Sequence, residues 1–199
     1  MTRWSNRPGR WVPALEYDYL NVYGRSNIVS DMTGKRKLIF IRHSKAEDQL
    51  PMISDFERSL TAKGKQNSKL MAQLLFSQKE DPGRIITSPA FRALETALIF
   101  CREYGISPDE VRLNARLYLS LEEEEFLSFI RGMSNDDHTV TLFGHNPLLT
   151  EMAAWFASDE PEVLSKTGIY CLSFPVASWS EVEPESGTTE YYLTLKDLA

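Results

Sequence analysis

From residue 37 onward the sequence alternates short apolar runs with longer stretches of helical period, and nothing else in the chain restricts its fold as strongly. Residues 37–41 (KLIFI), 84–87 (RIIT) and 139–143 (TVTLF) are short and almost continuously apolar or β-branched, the pattern of strands covered on both faces. Residues 111–113 form a weaker strand. Residues 61–77 carry Leu70, Met71, Leu74 and Leu75 as one apolar helical stripe. Residues 89–104 are helical and stop at Gly105, a residue suited to the left-handed turn that closes a helix. Ser120, with Glu123 three residues on, has the pattern of a capping box that opens the next helix, and residues 147–157 make another. Residues 168–174 and 191–195 read as further strands, with a polar turn at 184–187 between them. Such alternation predicts a single α/β domain with a mostly parallel central sheet and helices on both faces. Ligands of such sheets bind beyond the carboxyl ends of the strands.

Residues 1–36 do not share the pattern. Trp4, Trp11, Tyr17, Tyr19 and Tyr23 are scattered there among Arg, Pro and Asn without periodicity. We expect an N-terminal arm, loosely ordered or docked through its aromatics on the body or on a second copy, ahead of a catalytic domain at 37–199. A start of translation at Met32 is the alternative. The arm holds six Lys/Arg and three Asp/Glu, the remainder 16 and 25, so a net of +3 precedes a net of −9. An acidic body argues against a nucleic-acid partner, and any anion pocket must be made by cations placed locally. The two cysteines, Cys101 and Cys171, lie in apolar segments and form no CxxC pair, which reads as reduced core thiols and fits a cytoplasmic compartment. No Cys/His cluster has zinc spacing. No run resembles a secretory h-region or is long enough to span a bilayer, so no membrane partner is expected. A monomer is expected unless the arm mediates association.

Two of the three histidines follow apolar strands almost at once, in Ile39-Phe40-Ile41-Arg42-His43 and Leu142-Phe143-Gly144-His145. Parallel strands would bring both to one rim of the sheet. Ser88-Pro89 and Asn146-Pro147 each pair a polar N-cap with proline at a first helical position, so two helix N-termini with free N–H groups point to the same rim. Arg92 sits one turn into the first of these helices, where its fork of donors suits phosphoryl oxygens. The plainer alternatives are satisfied structural histidines and a surface ion pair of Arg92 with Glu95 or Glu103.

Taken in order, Arg42-His43, Ser88-Pro89-Ala90-Phe91-Arg92-Ala93-Leu94-Glu95-Thr96 and Gly144-His145-Asn146-Pro147 resemble the histidine phosphatase, or phosphoglycerate mutase-like, superfamily. Asp55-Phe56-Glu57-Arg58-Ser59-Leu60-Thr61 and Gly64 resemble its compact SixA-type phosphohistidine phosphatase branch. The resemblance implies a covalent nucleophile at His43, phosphoryl oxygens held by Arg42, Arg92 and His145, and no metal or other cofactor. Arg58, Ser44 and Ser88 are further candidates for substrate binding. Ser44 stands where the family usually has Gly, and Ser59 where Pro is common. A neutral imidazole is a competent nucleophile near neutral pH, and two guanidiniums with a second, protonated imidazole would neutralise the transferring phosphoryl group. No general acid is evident: Asn114-Ala115-Arg116-Leu117-Tyr118 follows the strand at 111–113, residues 122–125 read as a solvated helix start, and His138 as a surface residue. The expected activity is hydrolysis of phosphohistidine on a phosphorylated protein. A phosphomonoesterase of small metabolites and a non-catalytic phosphate- or phosphoprotein-binding module are the alternatives.

Overall fold

The computed structural model describes residues 34–118, 121–159 and 162–198. The expected arm, apart from its last three residues, and Ser120 lie outside them. The elements are β1 (Arg36–Arg42), α1 (Ala62–Ser77), β2 (Arg84–Thr87), α2 (Phe91–Tyr104), β3 (Arg112–Leu113), α3 (Glu123–Arg131), β4 (Thr139–Gly144), α4 (Leu148–Phe156), β5 (Ile169–Phe174) and β6 (Thr188–Leu193). The sheet order is β3-β2-β4-β1-β5-β6. β1, β2, β3 and β4 pair in parallel, while β5 is antiparallel to both β1 and β6, so β5 runs against the others.

Alternation along the strands divides the core in two. Leu38 and Phe40 of β1, with Val140 and Leu142 of β4, pack under Phe126 and Ile130 of α3 and Leu149, Met152 and Phe156 of α4. Ile39 and Ile41, with Phe143, face Met71 and Leu75 of α1 and Ala97 and Phe100 of α2. Both faces of the central strands are therefore dry, which is why these strands read as unbroken apolar runs. Each such side chain contributes about 1.5–3 kcal/mol by its burial. Cys101 and Cys171 are free thiols buried among them, and desolvation pushes their pKa up to about 11 and about 12. No helix among the described residues is long and apolar enough to cross a membrane.

Geometry requires glycine at several positions, Gly105 and Gly64 among them. Gly105 closes α2 at φ 69°, the left-handed conformation expected of it. At Gly64, in the first turn of α1, a Cβ would lie 2.1 Å from the Lys45 carbonyl oxygen, so only glycine lets the helix seat against the segment that follows His43. Thr61 caps this helix by accepting from the Gly64 N–H at 2.9 Å.

The other helix starts differ from expectation. The N-cap of α2 is Ala90, not Ser88, because the Ser88 hydroxyl is committed to His145. Pro147 is the N-cap of α4 and not its first residue; the Asn146–Pro147 peptide is cis. α3 starts from Glu122. β6 lies three residues earlier than expected, since Leu195–Leu198 forms a 3-10 turn.

Candidate active site at the carboxyl ends of β1, β2 and β4

The register of β1 on β4 sets the site. Arg42 pairs with Gly144, so the next residue of each strand, His43 and His145, emerges at the same height. The His43 N–H donates to the Gly144 carbonyl at 3.0 Å, and the two imidazole centroids are 4.9 Å apart. β2 delivers Ser88 beside them, its N–H on the Phe143 carbonyl at 2.8 Å. One turn later Arg92, only 6% exposed, brings its Nε to 3.3 Å from His43 Nε2. Arg42 Nη1 donates to the Leu164 carbonyl at 2.8 Å, and Asn146 Nδ2 donates to the same oxygen at 3.1 Å. The positive charge of Arg42 acts on both imidazoles. His43, Arg42, Arg92 and His145 thus meet at one end of the sheet.

Hydrogen bonds select the tautomer of His43. Nδ1 lies 2.7 Å from the Ser44 carbonyl oxygen, which can only accept, so the ring proton sits on Nδ1 and the lone pair on Nε2. Burial first, then the charges of Arg92, Arg42 and Lys166, hold the His43 pKa down to about 4 against the opposing Ser44 bond. His145 is held lower still, at about 3, by burial and by its neighbours His43 and Arg92, with Asp55 opposing. The expected protonated second imidazole is therefore corrected: His145 is neutral here, because it is 8% exposed and ringed by cations. Its Nε2 is 2.9 Å from Ser88 Oγ, which also accepts from the Ala90 N–H at 3.3 Å. This arrangement favours a Ser88 hydroxyl donating to Nε2 and a His145 proton on Nδ1. Nδ1 is buried and has no hydrogen-bond partner among the described residues. A buried orphan donor facing cations is suited to an anion oxygen.

The remaining candidates sit further out. Ser44 is fully buried; its N–H donates to Thr96 Oγ1 at 3.2 Å, and its Oγ accepts from Thr167 Oγ1 at 2.8 Å. Thr167 is at φ 65°, a conformation uncommon for a β-branched residue, and its N–H donates to the Arg42 carbonyl. Ser44 thus ties the loop before β5 to the end of β1. Arg58 donates from Nε to the Glu47 carbonyl at 2.8 Å and from Nη1 to Asp55 Oδ1 at 2.7 Å, so it reaches the site through Asp55.

Asp55 is the residue that sequence reasoning did not single out. Its Oδ2 takes a hydrogen bond from Arg92 Nη2 at 2.8 Å and one from the Tyr118 hydroxyl at 3.3 Å, and its main-chain oxygen accepts from Arg92 Nη1. Burial pushes this carboxyl up, but the bonds to Arg58 and Arg92 outweigh it and hold it below the usual carboxylate range. The available signal was its place three residues before Arg58, an ion-pair spacing. Residues 122–125 are all exposed at the start of α3, and His138 is exposed at the opposite end of the sheet. Among the described residues no group of three or more His, Cys, Asp or Glu side chains could hold a metal ion.

Residues 38–118 match the model of the histidine phosphatase superfamily, branch 1. An uncharacterized protein of Picosynechococcus sp. is 35% identical over 120 residues, which cover 59% of this chain and 70% of that protein. The protein histidine phosphatase SixA, solved with tungstate, superposes with a TM-score of 0.70 at 22% identity, covering 82% of this chain and 99% of the other. A mycobacterial glucosyl-3-phosphoglycerate phosphatase superposes with a TM-score of 0.52 at 16% identity, covering 75% and 96%. With its motifs in order and its two histidines and two arginines gathered at one rim, the chain is a phosphohydrolase of the histidine phosphatase superfamily, with the compact SixA-type fold.

Proposed function

We propose that this protein hydrolyses phosphohistidine on other proteins through a covalent phospho-intermediate on His43. The observation that carries the reading is the bond from His43 Nδ1 to the Ser44 carbonyl, which presents an unprotonated Nε2 beside Arg92. In this mechanism Nε2 attacks phosphorus in line with the leaving group. Arg42 and Arg92 offset charge on the equatorial oxygens, and His145 Nδ1–H donates to one of them. Water then attacks the phosphoimidazole, releasing phosphate and restoring neutral His43.

Leaving-group chemistry supports the substrate class. An alkyl phosphate expels an alkoxide, which requires a protonated acid in position. The carboxyl nearest the pocket, Asp55, is held ionised by two arginines and has no proton to give. Phosphohistidine expels an imidazole, whose conjugate acid has a pKa of about 6.5 and needs no such help. The resemblance in fold to a protein histidine phosphatase points the same way, whereas the more distant resemblance to a sugar-phosphate phosphatase keeps small phosphomonoesters as the second reading.

Single-turnover phosphorylation of His43 across a leaving-group series tests the proposal. The rate is expected to fall steeply from phosphohistidine through aryl phosphate to phosphoserine, and to be indifferent to chelators. A flat series would transfer the assignment to a general phosphomonoesterase. Binding without turnover of any member would leave a phosphate-binding module.

A further inference from the structure

Next to the pocket lies a second small site that the steps above do not use. Arg92 bridges the two. Its Nε is 3.3 Å from His43 Nε2, and its Nη2 is 2.8 Å from Asp55 Oδ2, so the carboxylate stands one guanidinium's width from the nucleophile. Asp55 is not used up by its partners. An ionised carboxylate has about four acceptor positions, and Arg58, Arg92 and Tyr118 take three. Its side chain is 45% exposed, against 8% for that of Arg92, so the open position faces outward. A row of three aromatic rings starts from its partner Tyr118. Tyr118 lies edge-on to His145 with centroids 5.5 Å apart, Phe56 edge-on to Tyr118 at 5.4 Å, and Phe91 follows at 6.0 Å from Phe56 and is 43% exposed.

Resting on the phosphohistidine reading, we infer that Asp55, Phe56 and Tyr118 form a subsite for the departing imidazole, in which the Asp55 carboxylate accepts the N–H of the ring nitrogen not bonded to phosphorus. An ionised carboxylate is useless as an acid toward an alkoxide, yet it is the group this substrate requires. Phosphohistidine with a proton on that second nitrogen leaves as neutral imidazole. Without the proton it must leave as an imidazolate, a far poorer leaving group. A carboxylate hydrogen-bonded to the N–H favours the protonated, reactive form. The step balances: the P–N bond breaks and its electron pair stays on the departing nitrogen, the second nitrogen keeps its proton, and the new bond forms to His43 Nε2. The positive ring charge passes from the substrate imidazole to His43, whose Nδ1 keeps its proton and donates it in a hydrogen bond to the Ser44 carbonyl. The Tyr118 and Phe56 rings supply apolar surface for an aromatic leaving group.

The test compares two substrates in Asp55→Asn, which retains an oxygen acceptor for Arg92 but no charge. The ratio of kcat/KM for phosphohistidine to that for para-nitrophenyl phosphate should fall about tenfold or more, the loss expected when a charged hydrogen bond to the transition state is removed. The descending alkaline limb of phosphohistidine turnover should move to lower pH. An equal loss on both substrates would make Asp55 only a positioning residue for Arg92, and no loss on either would leave it idle; both outcomes overturn the subsite. A second measurement needs no variant. Wild-type protein should prefer N-phosphorylimidazole, which has the N–H, over its N′-methylated imidazolium analogue, which has the charge but no N–H. A preference no greater than the two compounds show in solution overturns the proposal. If the wild-type protein cleaves the aryl phosphate but leaves phosphohistidine intact, the proposed function falls and the subsite with it. Turnover of phosphohistidine with an unchanged ratio in Asp55→Asn removes the subsite alone.

Discussion

An arginine meets a histidine at each end of the central sheet, and the two meetings have opposite character. At the amino ends of the strands Arg36 Nη1 lies 2.7 Å from Nδ1 of the exposed His138, while its Nη2 donates to the Asn135 and Ala177 carbonyls. Its neighbours are matched with carboxylates, Lys37 with Glu80 and Arg84 with Asp137. At the carboxyl ends Arg92 meets His43 and Arg42 lies close by, with His145 buried, His43 half-buried and both imidazoles neutral. Among the described residues Asp55 alone answers Arg92 there, and Arg42 has a carbonyl instead of a carboxylate. The same residue types thus serve as a latch where they are matched and as an anion site where they are not. Burial combined with missing counter-charge tells the two apart, and residue type does not.

Substitutions should separate the two ends. His43→Ala should reduce turnover to background and abolish alkali-stable phosphoenzyme while leaving the thermal midpoint nearly unchanged; persistent phosphoenzyme would place the nucleophile elsewhere. Arg92→Ala should cost on the order of 10²–10³ in kcat, the loss typical of one transition-state donor, and weaken vanadate binding. Equal turnover in Arg92→Ala and Arg36→Ala would erase the distinction between the ends.

Acidity should act on the carboxyl end. Activity present at neutral pH should be lost as pH falls through about 4, where His43 gains a proton and its nucleophilic lone pair is gone. Stability should follow the same groups. The unfolded histidines titrate near 6.5, so below that pH the unfolded chain binds protons that folded His43 and His145 refuse until about 4 and about 3. Their contribution is therefore constant above about pH 6.5, shrinks as pH is lowered from there, and levels off below about 3. Urea midpoints for wild type and His145→Gln across this window check the sign, and the variant should show the shallower loss.

Smaller effects belong to the amino end. Arg36→Ala should cost about 1–3 kcal/mol in urea unfolding, because two carbonyls lose a buried donor, with kcat unchanged. His138→Ala, at an exposed position, should stay within about 0.5 kcal/mol in the same assay.

The strands that set the site were legible because both faces of β1 and β4 are covered, and a doubly covered strand writes itself as an apolar run. Convergence of His43 and His145 then followed from parallel pairing. What was not legible traces to side chains with two possible partners. Ser88 has the composition of an N-cap, but its hydroxyl serves His145, and the helix starts from Ala90 instead. β6 is a half-exposed edge strand, so its polar first half, Thr188–Glu190, carries no strand pattern and the expected strand begins only at Tyr191. The charge of His145 depends on desolvation, which a sequence does not display. Asp55 was hidden because a pocket for an anion directs attention to cations. Its place becomes meaningful only after Arg58 and Arg92 fold its loop over the rim.

The oxygen that holds Arg42 and Asn146 belongs to the main chain of Leu164, and its position has a consequence for how this protein tolerates change. A main-chain oxygen survives every side-chain replacement. An alanine scan would register Leu164 only through its buried leucyl group and would miss the contact that orients the cation. Changes in the spacing of the segment should be far more harmful than changes in its composition. Inserting or deleting one residue between Leu164 and Gly168 would swing that oxygen away from the guanidinium while keeping every side chain that scanning identifies as essential.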